Sequence, residues 1–148
     1  MKEQLAIKGL KTWTTYDGGG YQFNLYRNNK KVAFVHEAGV GGCLDIDWSD
    51  AQAKADIEAY VKTLPKIEMK NLPEGCEPVV LDASVDLFME ELVTAYEWEK
   101  KLSRYRKQNT LFRLLNDPDY SFRPLKTLDL TKAKEFLDKK YPNQYTFV

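Results

Sequence analysis

The segment YQFNLYRNNKKVAFVH, residues 21–36, decides the architecture of the first third of the chain. Its first half alternates apolar and polar residues, with Phe23 and Leu25 on one face, which is the period of a half-buried strand. Asn28 and Asn29 then supply a two-residue turn, because asparagine tolerates left-handed backbone geometry. The alternation resumes after the turn, so the segment predicts an antiparallel hairpin.

One strand on each side extends this hairpin into a four-stranded antiparallel meander. Glycine-rich segments separate the strands, and the absence of a Cβ lets glycine form tight or irregular turns. In the last strand Asp45 and Asp47 share one face, and Leu44, Ile46 and Trp48 share the other. The predicted strands are Ile7–Tyr16, Tyr21–Arg27, Lys31–His36 and Cys43–Trp48, with turns at Asp17–Gly20 and Glu37–Gly42.

The remainder of the chain predicts three helices and a second group of strands. Ser49 begins an S-x-x-Q capping box, which favours a helix from there to about Thr63. The other predicted helices are Ser84–Lys107, capped by Asp82, and Lys132–Lys140, capped by Thr131. The predicted later strands are Thr110–Leu115, Tyr120–Leu125 and Gln144–Val148, and a short strand is predicted at Lys66–Lys70.

These elements define one α+β domain, consistent with a length of 148 residues and a hydrophobic content of 43%. The N-terminal four-stranded antiparallel β-meander is packed by two main helices, and a C-terminal β-hairpin and short helix follow. Residues 1–64 form the meander and its helix, and 65–81 form a proline-rich connector. Residues 82–148 form the long helix, the hairpin and the short helix.

Composition excludes several classes of protein as descriptions of the whole molecule. The 22 basic and 22 acidic residues cancel, which disfavours a strongly basic nucleic-acid binder. No apolar run approaches the roughly 20 residues of a membrane span, and no signal region follows the first residues. We therefore expect a cytoplasmic protein with Cys43 and Cys76 as free thiols. His36 is the single histidine, so no cofactor and no zinc site are predicted.

Several segments resemble a group of small uncharacterised phage and prophage proteins with no assigned activity. The resemblance is carried by KGLKTW (8–13), LYRNNKKVAFV (25–35), GGCLDIDW (41–48), NTLFRL (109–114) and the LDKKYP ending (137–142). It implies an origin in a mobile element and a location in the cytoplasm of a bacterial host. It also implies an accessory role, such as binding and blocking a host component in counter-defence.

Asp45 and Asp47 are the candidate catalytic residues. Two carboxylates at i and i+2 of a strand project from the same face, near enough to share a divalent cation that activates water. The alternative is a solvated polar face of a half-buried strand, which we prefer. His36 and Glu37 are adjacent on a strand and point to opposite faces, so they are not expected to act on one proton.

Two candidate binding surfaces remain. One is a nucleotide-sized pocket at the glycine loops, lined by Trp13, Tyr21 or Trp48, although turn geometry explains those glycines equally. The other is the basic end of the long helix, where cations with an interleaved aromatic side chain suit phosphates and bases. Its residues are Lys100, Lys101, Arg104, Tyr105, Arg106 and Arg113.

Our preferred interpretation is a non-enzymatic phage-type accessory protein that binds a host macromolecule or a small nucleotide signal. The first alternative is a metal-dependent phosphodiesterase or nuclease that uses Asp45 and Asp47. The second is a nucleic-acid-binding protein that acts through residues 100–113. The exposed edges of a small sheet are also compatible with a dimer.

Overall fold

The computed structural model describes residues 1–69 and 72–148. Within these two ranges, a short 3₁₀ helix, Lys2–Gln4, precedes nine strands and three α-helices. The strands are β1 (Leu5–Thr15), β2 (Gly18–Arg27), β3 (Lys30–Glu37), β4 (Asp45–Trp48), β5 (Ile67–Glu68), β6 (Val80–Leu81), β7 (Thr110–Leu114), β8 (Arg123–Leu125) and β9 (Tyr145–Phe147). The helices are α1 (Ala51–Lys62), α2 (Val85–Arg106) and α3 (Leu130–Lys140).

The predicted α+β class is confirmed. Strands β1 to β4 form an antiparallel sheet in the order β1-β2-β3-β4. The C-terminal strands form a second antiparallel sheet in the order β8-β7-β9. Strand β8 contains Pro124 and lies at an edge, where a missing N–H donor is tolerated. Strands β5 and β6 pair within the proline-rich connector, and part of the strand predicted at Lys66–Lys70 lies outside the described residues.

The chain divides into two compact units, Met1–Val93 and Thr94–Val148. We call them the N-terminal unit and the C-terminal unit. The boundary between the units falls within α2. The sequence analysis instead placed a proline-rich connector, residues 65–81, between the two groups of elements. The prediction of a single domain remains a prediction.

The N-terminal unit has its core between the meander and the helices. Phe23, Leu25 and Val35 are fully buried on one face of the sheet. Helix α1 contributes Ala53, Ile57 and Val61, which are buried. Its Tyr60 packs edge-on against Phe88 of α2 with ring centroids 5.8 Å apart. The face that carries Phe23 and Val35 is therefore the inner face of this sheet.

The C-terminal unit has a second, smaller core. Leu111 and Phe112 of β7 are buried, as are Ala133 and Leu137 of α3 and Leu102 of α2. None of the helices in residues 1–69 and 72–148 combines the length and the apolar composition of a membrane span.

Each helix begins at a capping residue other than the predicted one. Asp50 replaces Ser49 because its carboxylate accepts hydrogen bonds from the amides of Gln52 and Ala53, at 3.1 and 3.0 Å, while the Ser49 amide still donates to Val32 of the sheet. Ser84 replaces Asp82, since its hydroxyl accepts from the Leu87 amide. Asp129 replaces Thr131, whose own amide donates to the Asp129 carboxylate.

The glycines predicted as a turn instead belong to β2. Residues 16 and 17 form the turn, and Gly20 lies opposite Trp13 of β1. A Cβ on Gly20 would lie 2.5 Å from Cε2 of Trp13 and 2.6 Å from the Glu37 carbonyl oxygen. Glycine is therefore required here by close packing rather than by a tight turn.

Candidate functional site in the C-terminal unit

The predicted catalytic pair lies on the outer face of the N-terminal sheet. Asp45 and Asp47 are exposed, and their register partners in β3 are His36 and Phe34. His36 is half-buried, and its ring centroid lies 5.5 Å from that of Trp13. Within residues 1–69 and 72–148 there is no group of three His, Cys, Asp or Glu side chains that could hold a metal ion. A role for the pair stays a prediction.

Cys43 lies outside β4, which begins at Asp45, and both Cys43 and Cys76 are exposed free thiols. The strand predicted at Cys43–Trp48 is two residues shorter than expected, because β4 begins at Asp45.

The three aromatic residues predicted to line one pocket do not share a face. Trp13 lies on the outer face and donates from Nε1 to the Ala38 carbonyl oxygen at 3.2 Å. Tyr21 and Trp48 belong to the inner face, with the register of Phe23 and Ala33. Burial and the nearby carboxylate of Glu90 raise the pKa of Tyr21 to about 12. The sheet therefore does not bring all three rings to one face, and a pocket lined by one of them stays a prediction.

Part of the basic stretch of residues 100–113 borders a groove in the C-terminal unit. The groove has a volume of about 440 Å³. Its aromatic and charged lining includes Trp98, Arg113, Asp119 and Tyr120, with the hydroxyl-bearing Ser121 and Thr146. We call this site the aromatic groove. Arg113 is the predicted binding residue that lines it.

Aromatic rings build one wall of the aromatic groove. The Trp98 ring meets Tyr120 edge-on with centroids 5.6 Å apart, and it lies 5.6 Å from Phe122. Tyr105 in turn packs edge-on against Phe122 at 5.0 Å. Tyr120 is 52% exposed and adopts a positive φ of 56°. The wall therefore combines a supported indole with an accessible phenol.

Two cations accompany this wall. Lys101 places its Nζ atom 5.4 Å from the Phe122 ring centroid and 5.9 Å from that of Trp98. Arg113 is partly exposed, and its guanidinium lies 3.8 Å from the Asp119 carboxylate. A pair at that distance in water is weak, so the guanidinium can turn to an anionic ligand.

The other predicted cations are not among the residues that line the aromatic groove, although Arg106 donates from Nε to the carbonyl oxygen of the groove-lining Val148 at 3.4 Å. Lys100 follows Trp98 by two residues, which rotates it about 200° around the helix. Arg104 lies over the Tyr105 ring, and Arg106 pairs with Glu99 at 3.6 Å. The structure thus divides the basic stretch: Arg113 lines the groove, Lys101 and Tyr105 contact the Phe122 ring of its wall, and Lys100 lies on a different face of the helix.

The turn that carries Asp119 and Tyr120 is held by Asp117. Its carboxylate accepts two hydrogen bonds from Arg123, at 2.9 and 2.8 Å, and a third from the Leu114 amide at 2.9 Å. These bonds, chiefly those from Arg123, lower the pKa of Asp117 to about 2. Asp117 is therefore a positioning residue for the groove wall.

This arrangement predicts acid sensitivity. Because the pKa of Asp117 is lower in the folded protein than its ordinary 3.8, its contribution to stability is complete above about pH 4 and disappears as the pH falls toward 2. We expect Asp117→Asn to lower the melting temperature at pH 6 and to reduce its decline in acid, as measured by circular dichroism. Asp119→Asn removes the same charge but leaves the Arg123 bonds, and an equal effect of that variant would contradict the assignment.

Sequence reasoning missed Trp98, Asp119, Tyr120, Ser121 and Thr146. Trp98 stands three residues before Lys101, a spacing that places both on one side of a helix. That spacing was the available signal for one wall. The turn residues carry no such signal, because the sequence predicts a strand over residues 120–125.

Comparison of the chain with protein-family models, curated proteins and solved structures gives no match. The functional argument therefore depends on the geometry of the aromatic groove.

Proposed function

We propose that this chain is a non-enzymatic binding protein that holds a nucleotide in the aromatic groove of its C-terminal unit. The observation that carries the proposal is the meeting of the Trp98 and Tyr120 rings with the Arg113 guanidinium in one groove. A nucleotide combines a flat base with an anionic phosphate, and this groove offers a partner to each.

The aromatic wall suits the base. Stacking of a nucleobase on an aromatic side chain stabilises a complex by about 1–3 kcal/mol and tolerates different bases. Tyr120 is the more accessible ring, whereas Trp98 is supported from behind by Phe122. A base that stacks on this wall would meet a surface that is already ordered.

The cations suit the phosphate. Arg113 presents a planar fork of donors that matches phosphate oxygens, and Lys101 adds a mobile charge beside the wall. Asp119, Ser121 and Thr146 add groups that can accept or donate hydrogen bonds at a sugar or base edge. The groove volume of about 440 Å³ falls in the usual range for small-molecule sites.

The groove offers binding chemistry rather than a reactive pair. The C-terminal unit contains no histidine and no cysteine, and the groove lining holds one acidic side chain, Asp119, with no second acid beside it. We therefore assign the groove a ligand and no reaction. The phage or prophage origin, the counter-defence role and the cytoplasmic location remain predictions.

Isothermal titration of the full chain with AMP and GMP tests the proposal. We expect Tyr120→Ala and Trp98→Ala each to weaken binding about tenfold, since each removes a stacking surface. Arg113→Gln should weaken binding about fivefold and reduce its dependence on salt.

Lys100→Gln is the matched control, because it removes a cation of α2 that lies away from the groove. A ten-residue oligothymidylate forms the second arm of the titration. Tighter binding of the oligonucleotide than of both mononucleotides would identify a strand of nucleic acid as the source of the nucleotide. Unchanged affinity in Tyr120→Ala and Trp98→Ala would refute the site.

A further inference from the structure

We propose that the free edge of β9, together with the neighbouring face of α3, binds an extended peptide that carries an aliphatic residue two positions from an acidic residue. The site lies in the C-terminal unit and uses none of Trp98, Tyr120, Lys101 and Arg113, whereas Phe147 lines both grooves. The proposal concerns a protein partner and is argued from different contacts.

The edge of the C-terminal sheet has the hydrogen-bonding groups that such a peptide needs. Among the residues that the structure describes, 1–69 and 72–148, β9 pairs with β7 on one side and with no strand on the other. The bonds from Val148 to Leu111 and from Leu115 to Gln144, at 3.0 and 2.9 Å, fix the alternation of the ladder. In an antiparallel pair only every second residue faces its partner strand. Thr146 therefore faces β7, and Tyr145 and Phe147 direct their N–H and C=O groups to the free edge.

A groove runs beside this edge. It has a volume of about 570 Å³ and lies between Phe147 and the face of α3 that carries Leu130, Lys134 and Asp138. Leu130 is 63% exposed and Phe147 is 41% exposed. An added strand would cover both of these apolar side chains while it satisfies the edge.

The spacing of the helix matches that of a strand. Leu130 and Lys134 are one helical turn apart, a rise of about 6.0 Å. Alternate residues of an extended peptide are about 6.6 Å apart and point to the same side. One peptide side chain can therefore contact Leu130 while the next on that side reaches Lys134.

The charge of Lys134 favours an acidic residue at the second of these peptide positions. Asp138 accepts a hydrogen bond from the Tyr145 hydroxyl at 2.8 Å, which holds it at one end of the groove. None of the ion pairs found in residues 1–69 and 72–148 involves Lys134. Glu135 is the third charged residue that lines the groove, about 100° around the helix from Lys134. An acidic peptide residue beside Lys134 gains an ion pair.

A charge exchange tests this specificity. The probes are two fluorescein-labelled nine-residue peptides of threonine that contain Val-Thr-Glu or Glu-Thr-Val at the centre, because an added strand can run in either direction. We expect one of them to bind the full chain, with Lys134→Glu weakening it about fivefold in fluorescence anisotropy. The same variant should bind the matched lysine-containing peptide better than the unmodified chain does. Lys132→Glu, on another face of α3, should change neither affinity.

Hydrogen exchange measured by NMR tests the backbone part. The bound peptide should slow exchange of the Phe147 amide at least tenfold and leave the Thr146 amide nearly unchanged, because the latter already faces β7. Failure of both peptides to bind, or equal losses in Lys134→Glu and Lys132→Glu, would overturn the proposal. A dimer of the chain alone that Lys134→Glu dissociates would assign the edge to a second copy instead.

Discussion

Replacement of Phe23 by alanine is expected to lower the free energy of unfolding by about 4 kcal/mol. Phe23 is fully buried at the centre of β2, a strand that is paired on both sides. Its register partner Val35 is also fully buried. The Tyr21 ring stacks against the Phe23 ring with centroids 6.0 Å apart. Truncation removes the contacts of a whole ring, and neighbours held in a four-stranded sheet cannot collapse fully into the space.

Urea unfolding followed by circular dichroism measures this loss. Phe23→Leu keeps most of the buried volume and should cost about a third as much. Tyr16→Ala provides the matched control, because Tyr16 lies in the turn before β2 and is fully exposed, and its removal should change stability by less than about 0.5 kcal/mol. A loss below about 1 kcal/mol in Phe23→Ala would show that this ring does not anchor the core.

Gly39→Ala is expected to lower the free energy of unfolding by about 3 kcal/mol. Gly39 has a φ of +78°, in the region that L residues occupy only at a cost of about 1–2 kcal/mol. A Cβ at this position would also lie 2.6 Å from the carbonyl carbon of Gly19 and 2.7 Å from the amide nitrogen of Gly20. Both are backbone atoms of β2, so the clash requires movement of a strand rather than of a flexible side chain.

Gly41→Ala separates the two contributions. Gly41 has nearly the same φ, +77°, but a Cβ there would meet no atom within 4 Å. We expect this variant to cost about 1 kcal/mol, which is the backbone contribution alone. Equal losses for the two variants would show that the packing of residue 39 against β2 is unimportant.

The meander could be predicted because its signals are local. Alternation along residues 21–36 and the paired asparagines act within a few residues, and both asparagines have the expected positive φ. The helix caps were displaced by one or two residues because Ser, Asp and Thr all accept amide hydrogen bonds. The residue that caps a helix depends on where the preceding strand ends. The Ser49 amide, for example, still donates a hydrogen bond to Val32 of the sheet.

The aromatic groove was only partly accessible to sequence reasoning because it depends on contacts between residues that are far apart in the chain. Lys101 and Arg113 were recognised by their charge. Trp98 and Tyr120 come together because the Arg123–Asp117 hydrogen bonds fix the turn that carries Tyr120 beside α2. The predicted turn at Asp17–Gly20 was wrong for a similar reason, since the Trp13 ring that excludes a Cβ at Gly20 belongs to another strand.

The distribution of the three tryptophans gives the C-terminal unit a built-in optical reporter. Trp13 and Trp48 belong to the N-terminal unit, whereas Trp98 alone belongs to the C-terminal unit and lines its aromatic groove. A chain with phenylalanine at 13 and 48 would emit indole fluorescence from the groove wall alone. Occupancy of the groove would then be visible as quenching, with no external dye attached to the protein.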